Sequence, residues 1–213
     1  MYENYLTKRV NSLNTESAFK ILAKANKLEA AGMKIIHCEI GQPDFKTPEH
    51  IAQAACRAIN EGITGYSPSQ GYPELREEIA KFYAINKHVK TDMNDVVVVP
   101  GGKPIMFYTM LMLVESGDEV IIPDPGFPIY SSCIKFVGGV PVPIPLLEKD
   151  DFKYDLERLK AAITPKTKLI ILNSPSNPTG GVFDKDDLLE LADILKDRPD
   201  IFILSDEIYD RLV

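Results

Sequence analysis

The chain has 213 residues, 45% of them hydrophobic and 26% charged, with 24 Lys and Arg against 31 Asp and Glu for a net charge of −7. That is the balance of a globular protein with a core, long enough for one large α/β domain or one and a half ordinary ones. The negative charge and scattered basic residues argue against a nucleic acid or an anionic membrane as partner, and three widely spaced Cys without a CxxC pair argue against a metal centre or a disulfide framework.

The first residues, MYENYLTKRVNSLN, hold no apolar core, and no 18-residue apolar run follows anywhere. With thiols expected to be reduced, this predicts a cytoplasmic protein with no membrane span. Helical periodicity covers 16–31, with Phe19 and Leu22 on one face and Gly32 as the C′ residue. A short strand-like run, 35–40, ends at Gly41-Gln42-Pro43-Asp44. Helices are predicted over 48–60 and from Pro73 to about Lys87, Pro opening each at a position that tolerates it. Four consecutive valines, Val96–Val99, read as a buried strand.

Beyond residue 100 the pattern becomes regular. A helix over 105–115, a strand at 120–122, a helix over 128–137 and a strand over 140–144 follow in turn. Asp155 caps a short helix, then come a strand at 169–172, a helix over 186–196 and a strand at 201–204. Such alternation predicts a three-layer α/β/α domain with a mostly parallel sheet. The first 46 residues fit this pattern less well, so 1–46 are assigned to a second, smaller domain and 47–213 to the large one. The chain stops at Asp210-Arg211-Leu212-Val213, inside an apolar pattern and without a cap, and is expected to be truncated.

Ligands of open parallel sheets bind beyond the carboxyl ends of the strands. Behind the valine run stands Gly101-Gly102-Lys103, leading into a helix. It is either a phosphate cradle or an ordinary tight turn, and it lacks the spacing of a Walker A loop. Behind the next strand, Phe127 either caps the core or lies flat on a planar ligand. LNSPSNPTGG (172–181) mounts Asn177 in a loop dense with Pro and Gly. Asp206, after Ile-Phe-Ile-Leu, is expected at the sheet rim and largely away from water, as an N-cap or as partner to a protonated heterocycle nitrogen.

The joint order of IGQPDF (40–45), GYSPSQGYPELREEIA (65–80), PGGKPIMF (100–107), DPGFPIY (124–130), LNSPSNPTGG and SDEIYDRL (205–212) resembles the class I/II aminotransferases. These are fold-type I pyridoxal-phosphate enzymes, and the likeness is to their aspartate aminotransferase-like branch, from about residue 10 to the end. The resemblance implies pyridoxal 5′-phosphate as cofactor and ping-pong transfer of an amino group between an L-amino acid and a 2-oxo acid. It gives Asp206 to the pyridine nitrogen, Asn177 and Tyr209 to the phenolic oxygen, and Phe127 to the ring face. Gly102 and Lys103 go to the phosphate, Gly41 to the substrate carboxylate, and Tyr66 to the phosphate of a neighbouring subunit in a homodimer.

No catalytic residue is assigned within the chain, because the Schiff-base lysine and the carboxylate-binding arginine are expected beyond Val213. The family's sheet order, first-seventh-sixth-fifth-fourth-second-third, implies that the first strand here lacks both neighbours, and that the chain alone is inactive and unstable. A β-lyase, an aminocyclopropane-carboxylate synthase-like enzyme and a non-catalytic effector domain share much of the same constellation.

Overall fold

The computed structural model describes residues 5, 7, 9, 10, 13 and 17–212. The chain divides into two compact units, Ser17–Pro100 and Gly101–Val213 with Met1–Glu16. Glu16, the expected first residue of the first helix, lies outside the described residues.

The unit 17–100 holds α1 (Ser17–Ala30), α2 (Glu49–Asn60), α3 (Pro73–Asn86) and a single 3₁₀ turn at Met93–Asp95. Pro73 sits in the first turn of α3, where its missing N–H has no partner to lose. Arg76 of α3 is buried, and its guanidinium donates to the carbonyls of Val96 at 2.8 Å and Met93 at 2.6 Å. That cation ties the end of the unit back to the helix.

Two strands expected from the sequence are not formed. Among the described residues the run 35–40 has no ladder partner, and neither has Val96–Val99, where the Val98 N–H bonds the Gln70 carbonyl and Val97 is exposed. A β-branched run supplies strand propensity, but a strand exists only where a neighbour completes its hydrogen bonds. Here α1 to α3 provide none.

The other unit is a four-stranded sheet in the order β2-β1-β3-β4, from β1 (Glu119–Asp124), β2 (Val140–Pro145), β3 (Thr167–Asn173) and β4 (Phe202–Asp206). All three pairings are parallel. This is the third-second-fourth-fifth portion of the order implied above. Its helices are α4 (Gly102–Leu113), α5 (Ile129–Val137), α6 (Leu156–Ala162) and α7 (Lys185–Leu195). α4 begins three residues earlier than its sequence suggests, because Pro104 is tolerated within a first turn. α5 ends at Gly138, left-handed at φ 93°, with the Gly139 N–H reaching back to the Ile134 carbonyl.

Successive residues of β1 and β3 face opposite sides, which explains why both read as unbroken apolar runs. Val120, Ile122, Leu169 and Ile171 pack with Met106 and Met110 of α4 and Tyr130, Cys133 and Ile134 of α5. Ile121, Ile170 and Leu172 pack on the other face with Leu156 and Leu159 of α6 and Leu191 of α7. Ile170 is fully buried. Ile170→Ala is therefore expected to cost about 2–5 kcal/mol of unfolding free energy. A lowered urea midpoint at constant slope would report it, and an unmoved midpoint would contradict a packed second face.

β2 closes one edge. Val140 and Leu146 donate to the carbonyls of Asp118 and Asp124, so even-numbered residues face β1 and Pro141, Pro143 and Pro145 face outward. An outer edge with proline at each donor position cannot accept another strand. The chain steps from β1 outward to β2 over the α5 face, then returns past β1 to β3 and β4 over the α6 and α7 face. The direction of winding reverses between β1 and β3. That crevice, at the carboxyl ends, is where such sheets bind ligands.

Candidate cofactor site

Three loops leave the carboxyl ends around the crevice: 124–128 behind β1, 174–184 behind β3 and 207–212 behind β4. The β3 and β4 register sets Asn173 beside Asp206. Asn173 is buried; its Oδ1 accepts the Asn177 N–H at 2.7 Å and its Nδ2 donates to the Asp206 carbonyl at 3.1 Å. The Asn177 side chain then donates from Nδ2 to the Tyr209 hydroxyl at 3.1 Å. Asn177, Asp206 and Tyr209 thus form one connected group.

Asp206 is half-buried rather than sealed from water. Its Oδ2 accepts the Tyr130 hydroxyl at 2.5 Å, a length typical of a hydroxyl donating to a carboxylate, and its Oδ1 lies 3.4 Å from the Ile208 N–H. Burial first, and the Asp206 carboxylate second, push the Tyr130 hydroxyl far above its ordinary range, so it stays a proton donor. Among the described residues the segment after Asp206, 207–212, is a series of turns rather than a helix. Phe127 meets Tyr130 edge-on, ring centres 5.8 Å apart, and lines a cavity of about 400 Å³ with Asp124, Gly126 and Ser131.

The loop that carries Asn177 is fixed from within and behind. Ser176 and Gly181 are joined at 2.9 Å, the Gly180 N–H closes on the Ser176 carbonyl, and the Phe183 N–H bonds the Ser174 hydroxyl. The Ser174–Pro175 and Asn177–Pro178 peptide bonds are both cis. A Cβ on Gly181 would lie 2.5 Å from the Phe152 carbonyl oxygen, so glycine permits the close approach of that backbone. Farther back, Lys153 pairs with Asp184 at 3.1 Å and Asp187 at 2.7 Å, where Asp184 also caps α7.

Asp184 is held below the usual carboxylate range, first by the Asp187 N–H and then by the Lys153 ammonium. A carboxyl so depressed stabilises the fold above its unfolded pKa, and that contribution disappears as pH falls through the folded value. Lys153→Met is expected to flatten the fall in stability on the acid side of the carboxylate range. Thermal unfolding at stepped pH measures it, and parallel acid limbs for the two proteins would contradict it.

Gly102 and Lys103 open α4, whose N-cap Gly101 makes no side-chain cap bond. An added Cβ on Gly101 or Gly102 would meet nothing within 4 Å, so there is space beside the N-terminus of α4, the end of a helix that favours an anion. Lys103 also lines a cavity of about 440 Å³ with Phe107, Ile129 and Cys133. Gly41 and Tyr66 belong to the unit 17–100, Tyr66 with its ring fully exposed, and the hydrogen-bond chain around Asp206 is made without them. Two residues of that chain escaped the sequence reading. Tyr130 stands three positions after Phe127 at the start of α5, and Asn173 is the polar residue closing an apolar strand.

The group around Asp206 combines a carboxylate, an amide donor beside a phenol and an aromatic ring, and the N-terminus of α4 lies in the same unit. Together they fit a flat heterocycle bearing a protonated nitrogen, a hydroxyl and a phosphate. A profile of the family described as aminotransferase class I and II matches residues 34–213. The chain is 44% identical to the aspartate aminotransferase of Geobacillus stearothermophilus over 207 residues, 97% of this chain and 52% of that protein. Among solved structures, the alanine aminotransferase of Pyrococcus furiosus superposes with a TM-score of 0.91 at 35% identity, covering 97% of this chain and 53% of the other. The aspartate aminotransferase of Rhizobium meliloti gives 0.92 at 36%, covering 98% and 52%. The chain spans about half the length of the curated relatives it matches. It belongs to the class I and II aminotransferases, a family of pyridoxal-phosphate enzymes.

Proposed function

We propose that these 213 residues form the cofactor-holding part of an aminotransferase that moves an amino group between an L-amino acid and a 2-oxo acid by a ping-pong scheme. The observation that carries the reading is the Asn177–Tyr209 pair joined through Asn173 to Asp206 at the carboxyl ends of β3 and β4. The names of the relatives span aspartate, alanine and aromatic aminotransferases, and the donor is proposed to be of one of these types.

When bound, pyridoxal 5′-phosphate supplies an electron sink through its protonated ring. Asp206 accepts the ring N–H and keeps that proton in place. Asn177 and Tyr209 would hold the phenolic oxygen, and Phe127 would cover one face and exclude water there. Gly102 and Lys103, at the N-terminus of α4, receive the phosphate. Gly41 contacts the substrate carboxylate, and Tyr66 reaches the cofactor of a second copy in a cytoplasmic homodimer. Residues 1–46 contribute to a small domain and 47–213 to the large one.

The catalytic lysine and the carboxylate-binding arginine are proposed to lie beyond Val213. Among the described residues, Lys153 is already held by Asp184 and Asp187, and Lys103 belongs to the phosphate turn. The chain by itself is therefore expected not to turn over. Incubation with pyridoxal 5′-phosphate, 2-oxoglutarate and each of aspartate, alanine and tyrosine should give no glutamate above the protein-free rate. Robust turnover would contradict the placement of the lysine.

A further inference from the structure

We propose that Asn173 is a positioning residue that sets the spacing between Asn177 and Asp206, the groups reading the phenolic oxygen and the ring nitrogen of the heterocycle. The proposal rests on the reading of the site given above. Asn173 touches neither the ring nor the substrate in that reading. It acts through its two neighbours.

The carboxamide is a single rigid frame with an acceptor at one end and a donor at the other. Its orientation is set by its partners: the Asn177 backbone offers only an N–H, and the Asp206 backbone offers only a carbonyl oxygen. At 2.7 Å and 3.1 Å both bonds are well formed, and the side chain is only 4% exposed, so water does not substitute for either. The Asp206 carbonyl also receives the Ser174 N–H at 3.3 Å, the ordinary contact between the ends of two paired strands. The Nδ2 bond is additional to it. The first bond reaches into the NPTG loop, whose remaining hydrogen bonds run largely within the loop, between Ser176, Gly180 and Gly181. Asn173 is thus a buried link, beside the Asn177–Tyr209 bond, by which the Asn177 loop takes its position from the end of β4.

No similar side chain does both tasks. Aspartate keeps the acceptor for Asn177 but sets an oxygen against the Asp206 carbonyl, and alanine removes both bonds. The probe is pyridoxine 5′-phosphate, which has the ring nitrogen, hydroxyl and phosphate but an alcohol where the aldehyde would be, so it forms no Schiff base with any lysine. Asn173→Asp is expected to weaken its binding about tenfold, the scale of one lost hydrogen bond. Asn177→Ala should then cost markedly less affinity in the Asn173→Asp background than alone, since coupled residues are not additive. A purely structural role would lower the unfolding midpoint while leaving affinity and additivity untouched, and that result would overturn the proposal.

Hydrogen exchange decides the matter without any ligand. In Asn173→Ala the Asn177 amide should exchange faster, and with it the Ser174 amide bonded to Asp206, because the two loops are released from one another. Faster exchange at both supports the link; exchange at Ser174 unchanged from wild type overturns it. Failure of the wild-type chain to bind the probe would instead refute the functional reading, with exchange still deciding the role of Asn173.

Discussion

Asp206→Ala is expected to weaken pyridoxal 5′-phosphate binding by roughly 10- to 150-fold, the equivalent of about 1.5–3 kcal/mol for a hydrogen bond to a charged group. The reason is positional as well as electrostatic. Asp206 ends β4, beside the reversal in strand order, and each carboxylate oxygen has a donor within reach, Tyr130 at Oδ2 and the Ile208 N–H at Oδ1. The group is therefore presented in one orientation before any ligand arrives. Asp206→Asn separates shape from charge: it keeps the planar end and loses the formal negative charge. It should fall close to the alanine variant, and fluorescence titration of the cofactor measures both. Asparagine binding as tightly as wild type would contradict a charged partner for the ring nitrogen.

The second large effect is expected at Tyr130, which the structure buries almost completely against α4 and the sheet. Tyr130→Phe keeps the ring and its edge-on contact with Phe127 but removes the donor to Asp206. The predicted loss is about 1.5 kcal/mol of unfolding free energy, the lower end for a charge-assisted bond, since half-buried Asp206 recovers part of it from water. Cofactor affinity should fall several-fold with it, because the freed carboxylate is no longer held in one rotamer. Urea unfolding and cofactor titration of the same variant provide the test. Stability lost without any change in affinity would leave Tyr130 as a core residue only.

Much of the sheet was legible because its signals are local. Val120–Ile122 and Leu169–Leu172 are apolar on both faces, which only a strand covered by helices on both sides requires, and each is followed by a turn dense in Pro or Gly. Asp206 was legible for the same reason, as a carboxylate at the end of an apolar run. What local pattern cannot supply is the partner. Val96–Val99 has stronger strand propensity than β4, yet β4 has β3 beside it and the valines have no strand beside them among the described residues. Tyr130 and Asn173 were missed for a related reason. Their roles arise from contacts across 76 and 33 positions of sequence, through packing of α5 on the sheet and the register of β3 with β4. Read alone, one is an aromatic on an apolar helix face and the other a polar residue at a turn. The family resemblance supplied Asn177 and Tyr209 as a pair, and the structure adds the frame that connects them to Asp206.

The central claim is that Asp206 keeps a bound pyridine nitrogen protonated. The ¹⁵N chemical shift of ring-labelled pyridoxal 5′-phosphate, followed from neutral to alkaline pH in the presence of the protein, reads that proton directly. The account predicts a pyridinium shift that persists above the pH at which the free cofactor loses its proton, and that reverts toward the free-ligand curve in Asp206→Asn. A bound nitrogen that titrates as it does in free solution, with or without Asp206, would contradict it.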